Sequence, residues 1–78
     1  MGRPTRVTNS IRQLRFAAEE MTQAELADRI GVTRQTVIAI EQGRYSPTLE
    51  MAFKIAQVFK VPLDDVFHYP ENDSSHTF

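Results

Sequence analysis

The chain has 78 residues, enough for one small domain, with 41% hydrophobic and 24% charged residues, as in an ordinary globular protein. Because it has no cysteine and only His68 and His76, disulfide bonds and thiolate metal sites are excluded, and we expect no structural zinc. A net charge of −1 taken alone argues against nucleic acid, and no apolar run approaches the roughly 20 residues that span a bilayer. With no signal-peptide pattern either, we expect a soluble, cytoplasmic protein without a membrane partner.

The charges are unevenly distributed along the chain. Residues 1–48 contain seven arginines and five acidic residues, whereas residues 49–78 contain two lysines and five acidic residues. We expect residues 1–8 to be a flexible basic arm, in which Arg3 and Arg6 either enter a minor groove or are disordered. Nucleic-acid binding depends on a local cationic surface more than on net charge, so the first half of the chain is the candidate.

The first two helices are predicted by apolar spacing and capping residues. Apolar residues recurring every three to four positions predict a first helix within residues 10–20. The motif from Thr22 to Glu25 is a capping box, in which each residue satisfies a backbone N–H group of the other, and it predicts the start of a second helix. Gly31 ends that helix in a left-handed conformation, which costs glycine little.

Three further helices are predicted by a threonine cap or a proline at the start. They run from Arg34 to about Gln42, from Leu49 to about Phe59, and from Leu63 to Val66 or Phe67. Residues 70–78 form a polar tail. Residues 5–8 and 66–69 are rich in β-branched or aromatic side chains, so a short antiparallel ribbon between them is an open alternative.

The block from Gln23 to Gln42 has the spacing of a helix-turn-helix. Counted from Gln23, the fifth residue is Ala27, whose small side chain allows close helix approach, and the ninth is Gly31, which permits the tight turn. The fifteenth and eighteenth residues, Val37 and Ile40, fill the angle between the helices. This combination is typical of the DNA-binding motif, and a generic helical hairpin needs none of it.

These residues resemble a known family. The segment TQAELADRIGVTRQTV (22–37), followed by IEQG (40–43) and SPTL (46–49), is similar to the phage repressor and Cro-type helix-turn-helix family, often called Xre-like. In particular it is similar to the short, single-domain transcriptional regulators of that family. The resemblance covers residues 11–67 and implies an all-α, five-helix lambda repressor-like DNA-binding domain, here residues 9–69. It also implies operator binding and a homodimer.

One departure from the family pattern concerns the first helix. The link from Leu14 to Thr22 is one residue longer than the commonest spacing, and Glu20 stands where many members have glycine. The sequence therefore does not determine at which residue the first helix ends. The resemblance also implies an ion pair between Arg15 and Glu41 that ties the first helix to the third.

The third helix would read bases in the major groove. Arginine suits guanine O6 and N7, glutamine suits adenine N6 and N7, and apolar side chains suit the thymine methyl group. Since Val37 and Ile40 point inward, the reading side is expected to consist of Arg34, Gln35, Thr36, Ile38 and Ala39. Thr36 lies at its edge, where a phosphate is an alternative partner.

Phosphate contacts are expected at helix starts, where free N–H groups and the helix dipole favour an anion. Thr22 and Gln23 begin the second helix, and Thr33 begins the third. Arg44 and Tyr45 follow the third helix and are expected to reach the opposite strand. Gln23 is also expected to brace Arg34.

The fourth helix is apolar on two sides. One stripe, which suits the monomer core, consists of Leu49, Ala52, Phe53, Ala56 and Phe59; the other consists of Met51, Ile55 and Val58. The second stripe must be covered by the fifth helix or by another molecule. We expect a homodimer through residues 49–69, with an interface of Met51, Ile55, Val58, Leu63, Val66 and Phe67; a fully intramolecular core is the alternative.

The predicted function is therefore sequence-specific recognition of double-stranded DNA by a transcriptional regulator, a repressor. A two-fold dimer would present recognition helices about 34 Å apart, which predicts a palindromic operator. Lacking cysteine, a Ser/His/Asp arrangement and a glycine-rich phosphate loop, the chain is not expected to be an enzyme or to hold a cofactor. The alternative is an antitoxin or restriction-system controller that acts through a protein partner.

Overall fold

A computed structural model describes residues 5–70. The five helices are α1 (Ile11–Ala17), α2 (Gln23–Ile30), α3 (Arg34–Glu41), α4 (Leu49–Phe59) and α5 (Leu63–Val66), and the two strands are β1 (Thr8–Asn9) and β2 (Phe67–His68). The predicted five-helix, all-α fold is thus confirmed. Arg3 of the expected arm and residues 71–78 of the expected tail, with His76, lie outside the described residues. Over 5–70, no helix is long and apolar enough to cross a membrane.

Threonine side chains cap the helices at the predicted places. At the start of α2, Thr22 Oγ1 accepts from the backbone N–H of Glu25 at 3.0 Å, and Glu25 Oε1 accepts from that of Thr22 at 2.8 Å. Thr33 and Thr48 cap α3 and α4 through one such bond each. A cap of this kind stabilises a helix by about 0.5–2 kcal/mol, so these local signals fix where the helices begin.

Left-handed residues set the connections between helices. Gly31 ends α2 with φ of 79°, as predicted. Glu19 and Glu20 are also left-handed, with φ of 61° and 59°, and they take up the long link after α1, which ends at Ala17. Lys60 ends α4 with φ of 59°. A non-glycine residue in this region is strained by about 1–2 kcal/mol. The three residues in the link and at the end of α4 therefore lower the stability of the domain slightly.

The two-stranded ribbon joins the beginning of the domain to its end. Thr8 pairs with His68 and Asn9 with Phe67, in antiparallel register, so the ribbon considered above is confirmed. The side chain of Asn9 also donates to the carbonyl oxygen of Ile40 at 3.0 Å. The ribbon therefore holds the start of α1 against the end of α3, and Thr8 lies in a strand instead of the expected flexible arm.

One hydrophobic core unites the five helices and the α1–α2 link. Its buried members are Ile11, Met21, Leu26, Ala27, Ile30, Val37, Ile40, Ile55, Ala56 and Val66. The helix-turn-helix positions Ala27, Val37 and Ile40 are among them, at most 3% exposed. Since these residues fix α3 against α2, α3 has a rigid base.

The face that α4 buries differs from the predicted one. Ala52, Ile55 and Ala56 are buried, whereas Leu49 and Phe53, both expected in the core, are 67% and 47% exposed. The two alanines and Ile55 form a stripe at i, i+3 and i+4, in which small side chains allow close packing. Apolar residues occupy most of the circumference of α4, so spacing alone does not identify the inner face.

This packing corrects two residues of the expected dimer interface. Ile55 and Val66 are both 0% exposed within a single chain. A partner cannot reach side chains that are buried among the chain's own helices, so neither residue belongs to an interface between copies. Met51, Val58, Leu63 and Phe67 remain partly exposed.

The left-handed end of α4 offers a matched pair of substitutions. Lys60→Gly should stabilise the domain by about 0.5–1 kcal/mol, because it relieves a positive φ that lysine tolerates poorly. Lys54→Gly, in the middle of the same helix, should destabilise it by about 1 kcal/mol. Thermal unfolding followed by circular dichroism checks both, since about 1 kcal/mol shifts Tm by about 4–8 °C at this size. Equal loss of Tm in the two variants would contradict the assigned conformation of Lys60.

Candidate nucleic-acid interface

The first turn of α3 projects from the domain. Arg34 and Gln35 are exposed, and over residues 5–70 the Arg34 side chain forms no hydrogen bond or ion pair. The next residue, Thr36, exchanges a hydroxyl hydrogen bond with Thr33 at 3.1 Å. Two donor-rich side chains thus stand free at the end of a helix whose opposite face is buried, which suits them to contact base edges.

The rest of the expected reading face is less open. Ile38 and Ala39 are half-buried, as is Thr36. Gln35, Thr36, Ala39 and Tyr45 together line a shallow, largely apolar depression of about 230 Å³, which Ile38 does not line. Ile38 is thus the expected apolar reading residue that this depression does not include.

An ion pair anchors the other end of α3. Nε of Arg15 lies 2.7 Å from Oε2 of Glu41, and both side chains are 9% exposed. Nη2 of Arg15 donates to Oε1 of Glu41 at 3.2 Å, and Nη1 donates to the carbonyl oxygen of Met21 at 2.9 Å. A single guanidinium therefore joins α1, the α1–α2 link and α3, in the bidentate geometry that favours arginine over lysine.

Gln23 has a different partner from the expected one. Its Nε2 donates to Oε1 of Glu41 at 3.2 Å, and among residues 5–70 no hydrogen bond joins it to Arg34. Oε1 of Glu41 is already the acceptor for Arg15 and is a charged acceptor, which makes it a stronger partner for an amide N–H than a neutral group. Within residues 5–70 the Arg34 side chain has no partner, while Gln23 is held at the start of α2 with a second N–H hydrogen to donate.

An open groove of about 700 Å³ runs between α1, the start of α2 and α3. Thr22, Gln23 and Arg34 line it, so three of the expected contact residues share one surface. Arg12 and Phe16 of α1 line it as well, with the Arg12 guanidinium 5.6 Å from the centre of the Phe16 ring. These two residues were not expected here; their i, i+4 spacing on α1 is the signal that would have indicated the contact.

The remaining expected phosphate contacts occupy helix ends. Thr22 accepts the capping bond through Oγ1, which leaves its hydroxyl hydrogen for an anion. Thr33 stands at the start of α3, where N–H groups of the first turn lack intrahelical partners. Arg44 and Tyr45 are exposed in the segment after α3. Together with Arg34, these groups would place donors around the recognition helix.

Two packed helices joined by a glycine turn, with an exposed first turn on the second, define a helix-turn-helix protein. Residues 11–66 match the family described as "Helix-turn-helix", and the chain belongs to that family. The crystal structure of a candidate DNA-binding protein from Bacteroides fragilis has the same fold: the TM-score is 0.70 at 22% identity, over 80% of this chain and 98% of that one.

Curated relatives are similar over most of the chain. An uncharacterized HTH-type transcriptional regulator from Methanocaldococcus jannaschii is 49% identical over 57 residues, which are 73% of this chain and 86% of that protein. The uncharacterized HTH-type transcriptional regulator YgzD from Bacillus subtilis is 43% identical over 83% of this chain and 97% of its own. The cryptic phage CTXphi transcriptional repressor RstR from Vibrio cholerae is 37% identical over 76% of this chain and 52% of its own.

The anchoring pair predicts a large loss of stability. Arg15→Ala should lower the free energy of unfolding by about 3–5 kcal/mol, because it leaves the nearly buried Glu41 carboxylate without its cation. Arg12→Ala removes the same side chain one turn earlier, where it is exposed, and should change stability by no more than about 0.5 kcal/mol. Urea denaturation of both variants measures the difference. Similar unfolding free energies for the two would show that the pair does not anchor α3.

Proposed function

We propose that the protein is a sequence-specific, double-stranded DNA-binding transcriptional regulator, a cytoplasmic repressor that binds a palindromic operator as a homodimer. The observation that carries this proposal is the first turn of α3, where Arg34 and Gln35 are exposed on a helix fixed from behind. The names of the relatives support regulation of transcription, and one of them is named a repressor.

In the proposed complex, α3 lies in the major groove with its first turn toward the bases. Arg34 would donate to guanine O6 and N7, and Gln35 would pair with adenine N6 and N7. Thr36, Ile38 and Ala39 complete the proposed reading face. The anchored end of α3 keeps the free end at a fixed angle, which a bidentate contact requires.

Phosphate contacts would then hold the domain in register. Thr22 and Gln23 would meet one strand at the start of α2, where N–H groups and the helix dipole favour an anion. Thr33 would do the same at the start of α3, and Arg44 and Tyr45 would reach the other strand. Such contacts position the domain without selecting a sequence.

The proposed dimer surface is an exposed apolar groove beside α4. Leu49, Leu63 and Phe67 line it, together with Val7 and Pro47, around a volume of about 290 Å³. Leu49 is 67% exposed in the single chain, which is an unusual environment for a leucine beside other apolar groups. We therefore propose that a second copy covers this groove, with Met51 and Val58 as partly exposed neighbours.

Base reading by α3 is tested with variants of its first turn. Replacing both Arg34 and Gln35 by alanine should reduce discrimination between the duplex that the wild type prefers and a scrambled duplex by about 2–6 kcal/mol, since each bidentate contact supplies about 1–3 kcal/mol. Fluorescence anisotropy titrations measure both affinities. Arg44→Ala is the control: it should weaken binding to both duplexes alike and lower the salt slope by about one. Undiminished discrimination by the double variant would contradict base reading by α3.

The dimer is tested on α4. Leu49→Glu should shift the chain from dimer to monomer, because it places a charge in the apolar groove. Gln57→Glu adds the same charge to an exposed position of α4 that does not line the groove, and should leave the dimer intact. Sedimentation equilibrium measures both masses. A monomeric wild type would overturn the homodimer and favour the alternative, a protein partner of another kind.

A further inference from the structure

The depression beside α3 has a lining suited to one small apolar group. Gln35, Thr36 and Ala39 come from three positions of α3, and Tyr45 comes from the segment that follows it. The backbone N–H of Arg44 donates to the carbonyl oxygen of Ala39 at 3.0 Å, which holds the chain just before Tyr45 against the helix. The backbone from which Tyr45 extends is therefore held against α3.

This lining offers mainly apolar groups to an occupant. The hydroxyl group of Thr36 exchanges a hydrogen bond with Thr33 at 3.1 Å, so Thr36 has mainly its methyl group to offer. Ala39 adds a second methyl group and no polar atom. Tyr45 is 45% exposed, so part of its ring faces outward on the surface that carries the reading residues. The Gln35 amide and the Tyr45 hydroxyl group remain as polar partners.

We propose that this depression is the receptor for the 5-methyl group of a thymine in the operator, and that Tyr45 is a specificity-determining wall of it. The inference rests on the proposed function, because it requires α3 in the major groove. Among the four bases only thymine presents a methyl group there, whereas cytosine carries only a hydrogen atom at the same position and the other distinguishing groups are hydrogen-bond donors or acceptors. The Gln35 amide at the rim suits an adenine in the same or the adjoining base pair.

This role for Tyr45 replaces the phosphate contact that is expected from the sequence and is proposed above. A phosphate contact would depend on the phenolic hydroxyl group, whereas an apolar wall depends on the ring. Tyr45→Phe removes the first and keeps the second, and Tyr45→Ala removes both. The affinity of the phenylalanine variant should therefore fall if Tyr45 contacts a phosphate and should be kept if its ring is an apolar wall. Because Tyr45 is half-exposed, both substitutions are compatible with folding.

The test begins with the duplex that the wild type prefers. Each thymine of the half-site is replaced in turn by deoxyuridine, which lacks only the methyl group, in both half-sites at once. At one position the wild type should lose about fourfold in affinity per half-site. This is the loss expected when one methyl group is no longer buried on binding. Anisotropy titrations give the ratio of the two affinities for each protein.

The variants separate the possible roles. Tyr45→Phe should keep the wild-type ratio between thymine and uracil duplexes, and Tyr45→Ala should bring it close to one. Arg44→Ala, the adjacent control, should lower the affinity for both duplexes equally and leave the ratio of the two affinities unchanged. The inference is overturned if the wild type is insensitive to uracil at every position, or if the ratio survives in Tyr45→Ala. Should the wild type prefer no duplex at all, the proposed function falls and the inference falls with it.

Discussion

The bidentate pair between Arg15 and Glu41 is the interaction on which the geometry of the reading surface depends. Both side chains are 9% exposed, so their charges are largely removed from water and must be neutralised by each other. Arg15 uses its third nitrogen, Nη1, on the carbonyl oxygen of Met21, and Glu41 accepts from Gln23 as well. Among residues 5–70 no buried side-chain nitrogen or oxygen lacks a partner, so this polar centre does not carry an unpaired group.

The pair divides α3 into a held end and a free end. At the held end Glu41 is fixed to α1, and Asn9 donates to the backbone of the last turn. At the free end Arg34 and Gln35 are exposed. Long side chains cost entropy when they bind, and a rigid helix limits that cost to the side chains themselves. A recognition helix needs this asymmetry, because base contacts depend on angle as well as distance.

The parts of the fold that follow from neighbouring residues could be predicted from the sequence. Thr22 and Glu25 form the predicted capping box, Gly31 takes the predicted left-handed turn, and Ala27, Val37 and Ile40 are buried as the helix-turn-helix spacing requires. Each of these signals operates within one or two helical turns. The ribbon remained an open alternative in the sequence because its strands have two residues each.

Features that depend on packing between distant segments could not be predicted. The buried face of α4 is decided by how Ile55 packs against the other helices. Because apolar residues occupy most of the circumference of α4, the sequence does not reveal which face is buried. The partner of Gln23 is decided by the position of the Glu41 carboxylate, which only the folded chain brings beside it. Left-handed Glu20 and Lys60 carry no sequence signal, since neither is glycine or asparagine. The depression beside Tyr45 is lined by residues of α3 and by one residue of the segment that follows it. Helical periodicity does not predict contacts between a helix and the segment after it.

The central claim, that two copies of α3 read a symmetric operator, is tested most directly by selecting bound sequences from a random duplex DNA library at near-physiological salt. The account predicts enrichment of a palindrome whose half-sites lie about 10 bp apart, one turn of B-DNA. Weak, salt-sensitive binding without any enriched sequence would contradict it, because phosphate contacts alone would then explain the affinity.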